Sequence, residues 1–117
     1  MTQTTHPLSL APFEAQTDIG TVLHPGTCTW DAQQQSFTIS SAGANIWGDH
    51  DDFHFVWRKM RGNFILTTRA AFIGAGTNPH RKLGWMVRSS LDTSAPNANT
   101  GIHGDGLVTL QFRRQQG

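Results

Sequence analysis

Residues 51–72 read DDFHFVWRKMRGNFILTTRAAF, and the spacing of their apolar side chains decides the fold class. Phe53, Phe55 and Trp57 alternate with His54, Val56 and Arg58, and a period of two marks a strand with one covered face. The alternation resumes after Arg61, Gly62 and Asn63. Phe64, Leu66, Thr68, Ala70 and Phe72 fall on one side, and Ile65, Thr67, Arg69 and Ala71 on the other. Gly62 and Asn63 both tolerate a positive φ, so the link reads as a hairpin turn between strands 53–60 and 64–72.

The same pattern extends in both directions. TCTWD (27–31) and SFTIS (36–40) are short β-forming runs separated by the polar turn AQQQ. SAGANIWGDHDD (41–52) reads as a loop from its Gly, Asn and Asp content. Residues 83–89 set Leu83, Trp85 and Val87 against Gly84, Met86 and Arg88, and residues 92–100 read as a polar loop. IHGDG (102–106) is a turn, and 107–113 set Val108, Leu110 and Phe112 against Leu107, Thr109, Gln111 and Arg113. No apolar period of three to four residues competes. The expectation is an all-β, antiparallel β-sandwich or barrel, one domain over 13–117 behind a flexible arm of residues 1–12.

The side of these strands opposite the aromatic one carries His54, Arg58, Arg69, Arg88, Gln111 and Arg113. Such a face is either solvent surface or the floor of a groove, and clustered planar donors suit an oxygen-rich ligand. Trp47, in the loop beside the acidic cluster, is the candidate platform for stacking a sugar ring. Asp49, Asp51 and Asp52 supply oxygens for Ca²⁺, with His103 or Asp105 delivered from a distant turn, while His50 and His54 suit Zn²⁺. The spacing matches no established metal loop, so turn and capping roles are the plain reading. No resident cofactor is expected.

Nine Lys and Arg against eight Asp and Glu give a net charge of +1, which offers nucleic acid or an anionic membrane no electrostatic hold. No apolar run is long enough to span a bilayer. Cys28 is the sole cysteine, so no internal disulfide forms, and a small buried thiol is the default. The N-terminus lacks a secretory pattern, so the chain reads as cytoplasmic if Met1 is the native start. Strand centres carry no Asp or Glu, and Glu14 is the only glutamate, which leaves a paired-carboxylate hydrolase without its groups. His54 beside Asp52 is the remaining arrangement for general-base chemistry.

The runs DIGTVLHPGTCTWD, FTISSAGANIWGDHDDFHFVWRKMRGNFILTTR, RKLGWMVRSSLD and IHGDGLVTLQFRR, in this order, resemble the concanavalin A-like jelly-roll domains related to the yeast regulation-of-enolase protein. The resemblance is strongest to a bacterial branch often fused to a TolB-like propeller, and it covers residues 13–114. It implies two antiparallel sheets packed face to face, with a polar concave side. Members of that family continue past the QFRR strand, so this chain resembles its N-terminal part, a jelly roll incomplete or completed by a partner. An edge left open in this way favours a homo-oligomer or added C-terminal strands.

Taken together, the sequence points to a non-catalytic binding module for carbohydrate or another oxygen-rich small ligand. The alternative is a structural or assembly domain packing against a partner domain or chain. A metal-dependent hydrolase comes third.

Overall fold

The computed structural model describes residues 12–43, 45–74 and 81–116. The chain falls into two units, Met1–Arg61 and Gly62–Gly117. It is all-β: the described strands are β1 (Ala15–Ile19), β2 (Thr27–Asp31), β3 (Ser36–Ser40), β4 (Ile46–Trp47), β5 (His50–Asp51), β6 (Phe53–Trp57), β7 (Lys82–Arg88), β8 (Asn97–His103) and β9 (Val108–Arg113). No described residue is helical, and no helix is long and apolar enough to cross a membrane.

In the first unit every sheet is a two-stranded antiparallel ribbon: β1 with β6, β2 with β3, and β4 with β5. Isolated ribbons of this size are marginal, so side chains must hold them. Ile19 and Cys28 are its buried apolar residues among those described, and Asp51 is fully buried as well. Phe37 packs against Trp30 with tilted rings 4.7 Å apart and meets Phe13 edge-on at 5.4 Å, which anchors the β2–β3 ribbon through aromatic area. At the β2–β3 turn the Asp31 carboxylate accepts the N–H groups of Gln33 and Gln34, satisfying donors that the ladder does not reach. Gly48 has φ +64° between Trp47 and His50, so the stretch expected as a loop contains a tight hairpin that only a glycine enters without strain.

The second unit is a meander, β7-β8-β9, antiparallel throughout. Its register makes each face a set of cross-strand rows. One face carries Leu83–Ile102–Val108, Trp85–Thr100–Leu110 and Val87–Ala98–Phe112. The other carries Gly84–Gly101–Thr109, Met86–Asn99–Gln111 and Arg88–Asn97–Arg113. The expected segregation of apolar and polar residues in 83–89 and 107–113 is therefore realised as a two-sided sheet.

Three expectations are corrected. Residues 53–60 and 64–72 do not form a hairpin: β6 ends at Trp57 and pairs with β1. Gly62 has φ +76°, but Gln35 is the only described non-glycine residue with a positive φ, so Asn63 does not complete a primed turn. Residues 62–74 make no backbone–backbone hydrogen bond among the described residues. Leu66, Ala70 and Phe72 are half-buried while Ile65 is 90% exposed, but Phe64 and Thr68 are exposed too, so the expected alternation survives only in part and without a ladder. Finally, the polar stretch 92–100 is loop only in its first half, because β8 begins at Asn97. Asn99 donates to the Asn97 side chain (2.9 Å) and Asn97 to the Ala95 carbonyl (3.1 Å). Those bonds, with ladders on both edges, override the poor β-propensity of asparagine.

Amide hydrogen exchange checks this arrangement. Residues 63–74 are expected to exchange close to the unprotected rate, while Ala98, Thr100 and Ile102 in the central strand are slowed by orders of magnitude. Protection of 64–72 equal to that of β8 would place the segment in a ladder and refute the description.

Candidate functional site

In the first unit, chemistry-bearing side chains converge where β1 crosses β6. The register sets Asp18 opposite His54 and Gln16 opposite Val56 on one face. His54 Nδ1 lies 2.9 Å from Asp18 Oδ1, and Nε2 lies 2.9 Å from Gln16 Oε1. Gln16 points its amide nitrogen at the Cys28 carbonyl (3.3 Å), which leaves its oxygen to accept from the ring. Both ring nitrogens are thus engaged, one by each neighbouring side chain of β1. The Gly26 N–H donates to both Asp18 oxygens, at 3.1 and 3.0 Å. A side chain at Gly26 would overlap the His54 ring, so the loop approaches this closely only because the residue is glycine.

This cluster is closed. The His54 side chain is 2% exposed, and its two nitrogens are engaged inside the unit. The histidine expected as a donor on a ligand groove therefore ties β1, β6 and the 20–26 loop together. Its carboxylate partner is Asp18, not Asp52. The Gly26 N–H lowers the Asp18 pKa first, and burial opposes this, while the hydrogen bond and charge of His54 lower it further. Asp18 was missed in sequence because it lies 36 residues away from His54.

The acidic stretch divides into separate jobs. Asp49 occupies the β4–β5 turn and is exposed. Asp51 is fully buried opposite Ile46. Asp52 accepts the Thr21 N–H at 2.8 Å and holds His50 Nε2 at 2.9 Å. Trp47 stands opposite His50 and is 69% exposed, as a stacking platform requires. Arg58 follows β6 directly and is exposed.

The remaining expected ligand residues belong to the second unit. Arg69 lies in the ladder-free segment and is exposed, whereas Arg88, Gln111 and Arg113 share the polar sheet face. Both sheet arginines are committed to the 89–96 loop. Arg88 donates to the carbonyls of Ser90 (3.2 Å) and Asp92, and Arg113 donates to that of Ala95 (3.1 Å). The Asp92 carboxylate accepts the Ser94 N–H and hydroxyl, which lower its pKa. Guanidinium groups that bind backbone carbonyls in this way fix a loop, and the polar face is largely a fastening.

His103 is buried at the end of β8, and Asp105 accepts the Leu107 N–H within the following turn (3.0 Å). No group of three or more His, Cys, Asp or Glu among the described residues is arranged to hold a metal ion.

The apolar face behaves oppositely. Val87, Val108, Leu110 and Phe112 are 52%, 70%, 74% and 62% exposed, although they sit on the side that alternation marked for a core. A groove of about 290 Å³ runs between Leu66 and Ala70 of the 62–74 segment and Leu83, Trp85, Ile102 and Val108 of the sheet. Sequence reasoning missed this surface because alternation shows which side is apolar and not what covers it.

Comparison with known proteins gives no match to a family model, a curated protein or a solved structure.

The Asp18 clamp has a pH signature. Its folded-state pKa lies below the ordinary value of 3.8, so its contribution to stability is present above that value. It is lost as the pH falls through the depressed folded-state pKa. Asp18→Asn should therefore weaken the protein at neutral pH and lose less stability than the parent on acidification below about pH 4. Urea melts at a series of pH values test this, and parallel acid limbs for the two proteins would remove the clamp.

Proposed function

We propose that this chain is a non-catalytic interaction module that docks on another protein surface through sheet β7-β8-β9. The observation that carries the reading is the row Val87–Ala98–Phe112 beside the exposed Leu110 and Val108, a contiguous apolar surface at the edge strand. Surfaces of this kind mark protein contact sites far more often than scattered exposed leucines do. The polar face supports the same reading from the other side, since Arg88 and Arg113 already serve the 89–96 loop. Narrow antiparallel sheets with open edges also fit the jelly-roll resemblance, completed by strands from a partner.

An apolar reporter dye measures the face directly. Anilinonaphthalene sulfonate should bind the wild-type chain with several-fold enhanced emission, and Phe112→Lys should remove most of it while changing stability by less than about 0.5 kcal/mol. A wild-type chain that leaves the dye dark would mean the face is covered, and the reading would fail.

A second reading rests on Trp47. Its exposed ring on a tight hairpin, with His50 opposite, suits stacking of a carbohydrate ring. In this reading His50 and Arg58 of the same unit are the donors toward an oxygen-rich ligand. Titration with neutral oligosaccharides, followed by tryptophan fluorescence, should show a saturable change that Trp47→Ala abolishes. A response that persists in that variant would exclude this site.

A further inference from the structure

The ladder phase of β8–β9 identifies which backbone groups the sheet leaves open. The His103 N–H donates to the Leu107 carbonyl at 2.7 Å and closes the turn. In an antiparallel ladder hydrogen-bonded pairs alternate with non-bonded ones, so the bonded pairs continue at Gly101–Thr109, Asn99–Gln111 and Asn97–Arg113. The N–H and C=O of Val108, Leu110 and Phe112 therefore point away from β8. No hydrogen bond engages these six groups among the described residues. On the far side of the sheet, Ser89 N–H to Pro96 C=O (3.1 Å) gives β7–β8 the complementary phase.

An edge strand is normally protected by a charge pointing inward, a proline, a bulge or a covering segment. Residues 107–112, LVTLQF, contain none of the first three. As for the fourth, the 62–74 segment meets the sheet along a groove lined by Leu83 and Trp85 of β7, Ile102 of β8 and Val108 of β9, and no described residue bonds the outward backbone groups of β9.

We propose that β9 pairs antiparallel with β9 of a second copy, joining two three-stranded sheets into a continuous six-stranded one. This rests on the reading of the sheet as a protein-docking surface and names its occupant. The register centred on Leu110 satisfies all six open groups. Leu110 exchanges both bonds with Leu110 of the second copy, and Val108 exchanges both with Phe112 of the second copy. The same register keeps the faces matched: Leu110 meets Leu110, Val108 meets Phe112, and Thr109 meets Gln111. Charge agrees as well. Arg114, whose guanidinium lies 5.4 Å from the Phe112 ring centroid, falls beside Gly106 of the second copy, next to its Asp105. Arg113 falls opposite Leu107, so no like charges oppose each other at either end. A single edge of this length buries less than a standard interface of roughly 1,600 Å², so the association is of the weak, concentration-dependent kind.

Light scattering of the full chain from about 10 µM to about 1 mM tests the pairing. The mass should climb from 12.9 kDa toward twice that value. Leu110→Lys and Leu110→Glu should each remain monomeric, with circular dichroism matching the parent. An equimolar mixture of the two should regain the dimer, because the register places residue 110 of each copy against the other. A wild-type chain that stays at 12.9 kDa at the highest concentration overturns the proposal, as does a Leu110→Lys variant that dimerises like the parent. So does a mixture of folded variants that stays monomeric. Dye binding on the same samples separates this from the broader reading. A monomer that binds the dye refutes the pairing alone, and a dimer that leaves it dark refutes the apolar-face reading alone.

Discussion

Every described sheet in this chain is narrow, and that constraint governs the rest. A wide sheet holds its strands by pairing both edges, whereas a two-stranded ribbon has hydrogen-bonded only half of its backbone. The first unit compensates with side chains that reach from one segment to another. Asp18 joins β1 to β6 through His54 and to the following loop through Gly26, while Asp52 reaches back to Thr21. In the second unit three strands suffice for a two-sided sheet, and Arg88 and Arg113 fasten its longest connection. Polar residues here are mostly structural fasteners, and that is why the donors available to a ligand are fewer than the sequence offers.

Period-two alternation was readable with little ambiguity in β6, β7 and β9. The boundaries of β2 and β3 match the sequence reading, and the faces of β7 and β9 follow from counting residues. Pairing partners were harder. Alternation in 64–72 is as regular as in 53–57, yet only the second stretch finds a ladder, because pairing depends on a turn and an edge at the far side. β1 carries a weaker apolar signal than either and still becomes the partner of β6. β8 illustrates the opposite failure: Asn97, Asn99 and Thr100 look like loop, but a central position and mutual side-chain bonds make them strand.

The candidate site was legible as residue types and not as assignments. His54 does face the side predicted for it, but burial and two acceptors turn a presumed ligand donor into a clamp. Trp47 sits as expected on an exposed turn, and its hairpin was hidden because two-residue strands have no periodicity to detect. The apolar face of the meander follows the pattern of a core yet carries Leu110 and Phe112 into solvent. Whether an apolar face is core or contact surface depends on what else the chain places over it, and that is a tertiary fact.

The lone sulfur of Cys28 has a use that its chemistry alone would not suggest. It is buried in β2, and burial pushes its thiol pKa up, so alkylation must await an opening of the surrounding structure. All of the second unit is free of cysteine. A thiol reagent therefore acts as a clock for excursions of the first unit only, while Trp85 is the sole indole of the second. Because Trp30, Trp47 and Trp57 lie in the first unit, indole emission follows the whole chain, and comparing it with thiol alkylation shows whether the first unit opens alone, without adding a label.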